Sequence, residues 1–138
     1  RYGYYRDLDD KIYLKWQKKL LGINNSIYLK LHPKSRFSYS FLNENKLLNK
    51  NLEKYNKAFN LFIFDNISQA FFEIARTNKK ILYFDIGQRP LKSEIIKLIK
   101  KRALVVKCNL NSINLIKIKK KIELAKKFKI KSYDILNL

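Results

Sequence analysis

Short apolar runs alternate with segments of helical spacing along most of the chain. Continuous runs of this kind are typical of strands that are covered on both faces of a sheet. Four strands are predicted, at residues 26–31, 61–64, 80–85 and 104–107. Helices are predicted around them, at residues 9–21, 68–77, 90–102 and 112–128. The alternation indicates an α/β fold, a Rossmann-like parallel sheet with helices on both faces in a single domain.

Two segments depart from this alternation. Residues 35–60 are polar and rich in Asn and Lys, so we expect a loop and a short helix there. Residues 129–138 follow the last predicted helix, and we expect them to pack on a partner domain. Because the chain starts at Arg1 and contains no Met, residues 1–138 are expected to be one part of a longer protein.

Charge is the strongest compositional signal. The 138 residues include 31 Lys and Arg against 11 Asp and Glu, which gives a formal net charge of +20. This excess favours an anionic partner, such as a nucleic acid, a lipid surface or a phosphorylated substrate. A chain rich in Lys, Asn and Ile but poor in Arg is also typical of drift in an AT-rich coding sequence, so a compositional origin stays open.

Cysteine content and hydropathy restrict the compartment. The single cysteine, Cys108, excludes an intrachain disulfide and lies in an apolar run, which favours a buried, unreactive thiol. No apolar run approaches the ~20 residues that a bilayer-spanning helix needs. We therefore expect a cytoplasmic protein, either free or peripheral to the inner face of the plasma membrane.

The only histidine lies at the end of the first predicted strand. His32 is flanked by Lys30 and Lys34 and is followed by Pro33, which turns the chain out of the sheet. Ligands of open α/β sheets bind at the carboxyl ends of the strands, and a histidine between two lysines can donate to a phosphate oxygen. The alternative is a surface histidine in a turn.

A second polar cluster follows the strand at residues 61–64. Asp65, Asn66 and Ser68 lead into a helix that carries Gln69 and Glu73. Backbone N–H groups at a helix start favour an anion, so a phosphate site is one interpretation. An ordinary helix cap by Asp65 or Ser68, with Glu73 in solvent, explains the same residues equally well.

The remaining candidates are weaker. Arg89 lies in the turn after the strand at residues 80–85 and could contact a substrate, although a turn capped by Asp85 explains the segment as well. No catalytic triad or cluster of metal ligands is visible, and no metal is expected. Three scattered glycines cannot form a glycine-rich phosphate loop.

Five strings, in this order, carry a resemblance to a known family. They are YLKWQKKLL (13–21), LKLHPK (29–34), FDNIS (64–68), FEIA (72–75) and KKILYFD (79–85). Together they resemble the C-terminal half of GT-B-type glycosyltransferases, most closely the bacterial surface-carbohydrate transferases of the glycerophosphotransferase and sialyltransferase-like groups. The resemblance covers roughly residues 10–107.

In those families this half is a Rossmann-like domain that binds the activated donor, a nucleotide-linked sugar or sugar phosphate. The resemblance implies that His32 and Ser68 contact the donor phosphate, with His32 as the catalytic group that stabilises the leaving phosphate. It also implies that Asp65 positions the turn and that Glu73 reaches the ribose. Gln69 replaces a second hydroxyl of the family pattern.

The resemblance also bears on activity and partners. It implies no cofactor besides the nucleotide-activated donor, and it implies an N-terminal acceptor domain that completes the enzyme. Without that domain we expect no turnover. The family's Lys-Pro after the helix is Lys79-Lys80 in this chain.

Three functions therefore stand side by side. The first is the donor-binding domain of a glycosyltransferase or sugar-phosphate transferase in surface-polysaccharide biosynthesis. The second is a basic nucleic-acid-binding, ribosome-associated module, which is less favoured because the lysines are spread along the chain. The third is a scaffold that docks on an anionic membrane through its Lys-rich C-terminal helix.

Overall fold

The computed structural model describes residues 9–31, 46–87 and 90–138, which form a mixed α/β fold. The strands are β1 Leu29–Lys30, β2 Leu47–Leu48, β3 Leu61–Phe64, β4 Lys80–Asp85 and β5 Leu104–Lys107. The helices are α1 Asp10–Leu21, α2 Leu52–Tyr55, α3 Gln69–Ala75, α4 Ser93–Arg102 and α5 Leu115–Lys126, with a final 3-10 turn at Asp134–Asn137.

The main sheet is parallel, with the strand order β3-β4-β5. Its central strand, β4, alternates its side chains between two apolar layers, as the period of a strand requires. Leu82 and Phe84 enter one layer, and Ile81 and Tyr83 enter the other. Because β4 is covered on both faces, its sequence is continuously apolar rather than alternating.

Helices cover both faces of this sheet. Helices α1 and α5 pack on one face, through residues such as Trp16 and Ile122, which are buried with Phe84. Helices α3 and α4 and the 3-10 turn pack on the other, through Phe71, Ile99 and others. In a sheet of sequential order, crossovers of one hand place α3 and α4 on the same side. The predicted α/β fold is thus confirmed.

Side-chain caps define where three of the helices begin. The Asp9 carboxylate accepts from Lys11 N at 2.7 Å, the Ser68 hydroxyl accepts from Phe71 N at 3.4 Å and the Asn114 amide oxygen accepts from Lys117 N at 3.1 Å. Each oxygen serves an N–H group that has no partner inside its own helix.

The buried arginine at the end of α4 joins two helices. Arg102 is 0% exposed, and its guanidinium donates to the carbonyl oxygens of Ile74, Ala75, Thr77 and Lys79 at 2.8–3.2 Å. These oxygens lie at the carboxyl end of α3 and in the loop after it, where a positive charge is favourable. Burial lowers the pKa of Arg102, and Tyr133 opposes that shift.

The predicted bounds of β3, β4 and β5 agree with the structure, whereas the first predicted strand does not extend as expected. Only Leu29–Lys30 is extended, and it pairs in parallel with β2 rather than with the main sheet. The expected loop at residues 35–60 contains β2 as well as the short α2. The strand that precedes His32 therefore belongs to a separate two-stranded ladder.

The prediction for the last ten residues was wrong. Ile135 is 0% exposed and packs in the domain's own core, together with Phe71 and Ile99. Backbone bonds from Lys131 and Ser132 to the Lys101 carbonyl attach the segment to α4.

Among the described residues, no helix combines the length and the apolar character that a membrane crossing requires.

Candidate functional site at the carboxyl edge of the sheet

The carboxyl ends of β3, β4 and β5 meet at one edge of the main sheet. Asp65 follows β3, Asp85 ends β4 and Cys108 follows β5. The backbone N–H of Cys108 donates to the Asp85 carbonyl at 2.9 Å, which holds the last two of these ends together. Ligands of open α/β folds bind at this edge, and two clefts open here.

The first cleft lies between the ends of β3 and β4 and the start of α4, with a volume of 330 Å³. Its polar lining is Asp65, Asn66, Asp85 and Lys92. Apolar side chains, among them Ile95, form the rest of the wall. A small-molecule site commonly combines such apolar walls with a few polar groups that fix orientation.

The second cleft lies between the ends of β4 and β5 and the first turn of α5, with a volume of 720 Å³. Asp85 borders this cleft as well as the first. The polar groups of the loop after β5 line it, together with Lys117 of α5. The Asp85 carboxylate is therefore shared by two adjoining clefts, the first with Lys92 on its wall and the second with Lys107 and Lys117.

The turn after β4 brings Asp85 to this junction. The Asp85 carboxylate accepts from Gly87 N at 3.2 Å, and Gly87 has φ of 77°, in the left-handed region. A glycine adopts this backbone angle without the steric cost that a Cβ imposes. The predicted turn at Gly87 is confirmed, and it leaves the Asp85 side chain half-buried rather than enclosed.

Asp65 is anchored from the other side of the sheet edge. Its Oδ2 accepts from the Tyr13 hydroxyl at 2.8 Å and from Trp16 Nε1 at 3.2 Å, both on α1. Trp16 is 0% exposed and packs edge-to-face on Phe84, with ring centroids 5.1 Å apart. Asp65 thus fixes α1 to the end of β3, a role that the sequence did not assign to Asp65, Tyr13 or Trp16. Its predicted positioning of the turn stays a prediction.

Cys108 is half-buried and lines the second cleft, so it is less enclosed than predicted. Burial raises the pKa of its thiol, and the positive charge of Lys117 opposes this shift. A thiol with a raised pKa stays protonated and is a poor nucleophile at neutral pH. Its predicted lack of reactivity agrees with this shift.

The other residues predicted around α3 do not line the clefts, although Ser68 directly follows Ile67 of the first cleft's wall. Ser68 caps α3 with its hydroxyl, while Gln69 and Glu73 are exposed along that helix. None of the three is among the described residues that line either cleft. The hydrogen bond from Phe71 N to the Ser68 hydroxyl is the helix cap that one of the two interpretations predicted. Contact of Ser68 or Gln69 with a phosphate stays a prediction.

Four predicted residues line neither cleft in the part of the chain that the structure describes. Lys30 lies on β1, and its Nζ donates to the Leu31 carbonyl at 2.7 Å. His32, Lys34 and Arg89 lie outside the described residues. Their predicted contacts with a donor therefore stay predictions.

The two clefts combine hydrogen-bond acceptors with cations. Carboxylate oxygens accept hydrogen bonds from hydroxyl groups, and lysine ammonium groups donate to anionic oxygens. Within the described ranges, no three His, Cys, Asp or Glu side chains are grouped so that they could hold a metal ion.

Comparisons of the chain with protein-family models, with curated proteins and with solved structures give no match. The resemblance to glycosyltransferases thus rests on the five strings alone. The function that this resemblance implies is therefore a proposal.

Proposed function

We propose that this domain binds the activated donor of a glycosyltransferase or sugar-phosphate transferase, a nucleotide-linked sugar or sugar phosphate used in surface-polysaccharide biosynthesis. One observation carries the proposal. The ends of three parallel strands bring Asp85 to the junction of two clefts whose walls carry Lys92 and Lys117. The five strings that resemble the GT-B type support the same function.

The donor is placed by matching its parts to these groups. The apolar walls of the first cleft suit the nucleoside, and Asp85 accepts hydrogen bonds from its ribose hydroxyls. The phosphates then extend into the second cleft toward Lys117. A lysine at that position neutralises the charge that develops on the leaving phosphate, which is a form of transition-state stabilisation.

The test is a calorimetric titration of the full chain with UDP, GDP, CDP and CMP. We expect at least one of them to bind. Asp85→Asn and Lys117→Gln should each weaken its binding about fivefold or more, as the loss of a charge-assisted hydrogen bond requires. Lys100→Gln, an exposed site on α4 outside both clefts, is the matched charge control.

Two results would refute the proposal. One is the absence of binding by all four nucleotides, and the other is unchanged affinity in both cleft variants. His32→Ala and Ser68→Ala, measured in the same titration, separately test the phosphate contacts that the resemblance implies. Loss of affinity in either variant would extend the site beyond the two clefts.

Nucleic-acid binding is the competing function for a chain of charge +20. Exposed lysines occur on α1, α4 and α5, and these helices cover opposite faces of the sheet. A groove that follows a phosphate backbone needs its cations along one track. This distribution favours the donor site, and a steep salt dependence of RNA or DNA affinity would favour the alternative.

A further inference from the structure

Helix α5 has an apolar side that the core does not use. Its inner side packs on the sheet through Ile118, Ile122 and Ala125, which are 3%, 4% and 0% exposed. On the opposite side, Ile116 is 71% exposed and Leu124 is 53% exposed. These two residues are eight apart, so they lie roughly 12 Å apart along the axis and about 80° apart around it, on the same broad side of α5.

Lysines surround this apolar pair. Lys120 lies between Ile116 and Leu124 on the same side, and Lys119 and Lys127 are exposed beside it. We call Ile116, Lys119, Lys120, Glu123, Leu124 and the C-cap residue Lys127 the outer face of α5. An ordinary solvent-facing side of a helix carries polar residues, so the aliphatic pair on this face needs a different explanation.

The three lysines of the outer face outnumber its single acidic residue, Glu123. The one acidic residue of α5, Glu123, is 2.9 Å from Lys126 and is paired with it. Helix α1 covers the same face of the sheet and adds the exposed Lys11 and Lys15, together with the exposed Asp9 and Asp10 at its start. The field on this side of the domain therefore attracts anions.

We propose that the outer face of α5 docks the domain on the surface of an anionic lipid bilayer. Ile116 and Leu124 enter the boundary between headgroups and acyl chains, and Lys119, Lys120 and Lys127 contact lipid phosphates. Basic helices with a few aliphatic side chains bind membranes in this orientation, parallel to the surface. Charge complementarity with anionic lipids identifies the partner.

The aliphatic pair distinguishes this partner from a nucleic acid. Phosphate backbones are bound by cations and polar groups, and they offer no apolar phase for two separate aliphatic side chains. A bilayer satisfies both the lysines and the aliphatic pair. The proposal does not depend on the donor site, since the outer face lies on the side of α5 opposite its packing residues.

The experiment is sedimentation of the full chain with vesicles. One set contains only phosphatidylcholine and the other contains phosphatidylcholine with phosphatidylglycerol, at about 0.1 M salt, where the Debye length is ~10 Å. We expect binding to the anionic set alone. Ile116→Ser combined with Leu124→Ser should weaken it about tenfold or more, because apolar contact with the acyl region is lost.

Matched charge variants locate the contact. The double variant Lys119→Gln, Lys120→Gln should weaken vesicle binding more than tenfold, because each lysine near the surface contributes about fivefold to the affinity. Lys97→Gln with Lys100→Gln removes the same charge from exposed sites on α4, on the other side of the sheet, and should have a much smaller effect. Circular dichroism confirms that each variant is folded.

Three results would overturn the proposal. They are failure to sediment with anionic vesicles, full binding by the Ile116 and Leu124 double variant, and equal losses in the two lysine pairs. Binding of an oligonucleotide through the same lysines, without vesicle binding, would assign the face to nucleic acid instead. Nucleotide binding is measured separately, so either proposal can fail while the other stands.

Discussion

Replacing Arg102 with methionine removes a guanidinium that the fold encloses completely. The side chain is 0% exposed and lies at the carboxyl end of α4, against the carboxyl end of α3. Methionine retains most of the aliphatic length, so the change tests the hydrogen bonds and the charge more than the packing. No catalytic role is assigned to Arg102, and the expected effect is on stability.

The magnitude follows from what each carbonyl loses. The Ile74 oxygen also accepts from Thr77, from its N at 3.0 Å and from its hydroxyl at 2.6 Å, and therefore keeps a donor. The Ala75 oxygen belongs to a fully buried residue and loses the Nε–H donor at 3.0 Å. The carbonyls of Thr77 and Lys79 belong to half-buried residues that water can reach.

Arg102→Met also removes a buried charge, a cost that the lowered pKa of Arg102 reflects, and a buried Nη1 that has no hydrogen-bond partner among the described residues. We expect the lost carbonyl contacts to outweigh both gains. The buried Ala75 carbonyl should lose the most from its missing hydrogen bond, and the water-accessible carbonyls of Thr77 and Lys79 should lose less. Together we expect a decrease of about 3 kcal/mol in the free energy of unfolding. For a domain of this size the melting temperature should fall by roughly 10 °C.

Urea unfolding followed by the fluorescence of Trp16 provides the measurement. Arg76→Met is the control, because Arg76 is exposed and the same substitution there should change stability by less than about 0.5 kcal/mol. Arg102→Lys retains a charge but presents a single ammonium group, so it should restore only part of the loss. A free energy of unfolding within 0.5 kcal/mol of the parent for Arg102→Met would refute the reasoning.

Three further perturbations test the sheet edge. Gly87→Ala should cost roughly 1–2 kcal/mol in thermal unfolding, because Gly87 has φ of 77°, and Gly87→Asn should cost less; equal stability of all three proteins would contradict this. Tyr13→Phe removes the 2.8 Å bond to Asp65 and should lower stability in urea by about 1.5 kcal/mol, so an unchanged midpoint would argue against anchoring through this bond. Burial raises the pKa of Cys108 above 9.0, and Lys117 opposes the shift. The stability that this preference for the neutral thiol adds is complete below pH 9.0 and is lost as pH rises through the folded-state pKa. The pH profile of thiol alkylation should therefore have its midpoint above 9.0, and Lys117→Gln should move it higher; a midpoint that falls in that variant would refute the stated cause.

The strands of the main sheet could be predicted closely because their environment is simple. β3, β4 and β5 are continuously apolar, and the structure places β4 between two layers of helices. Boundaries set by local chemistry were also visible, as at Gly87 and at the Ser68 cap. The start of α4 was not, since the helix begins at Ser93 rather than at Pro90.

Lateral pairing is a tertiary property, and here prediction failed. β1 lies within the predicted strand at residues 26–31, but its partner β2 has two residues in an Asn- and Lys-rich segment, too few for a hydrophobic period to appear. Their pairing with each other, rather than with β3, separates Lys30 from the carboxyl edge of the main sheet. A sequence lists the ends of strands but does not say which ends are neighbours.

The roles of Asp85 and Arg102 also depend on tertiary contacts, and neither role was predicted from the sequence. Asp85 has the sequence context of an ordinary capping residue, and its position between two clefts arises only when β4 becomes the central strand. Arg102 did leave a signal, because it lies three residues after Ile99 and seven after Ile95, on the apolar side of α4. A charged residue in an apolar stripe must find hydrogen-bond partners when it is buried, and the four carbonyl oxygens it contacts are those partners. A charged residue at such a position is therefore predicted to belong to the buried side of its helix, even when its neighbours in the sequence are exposed lysines.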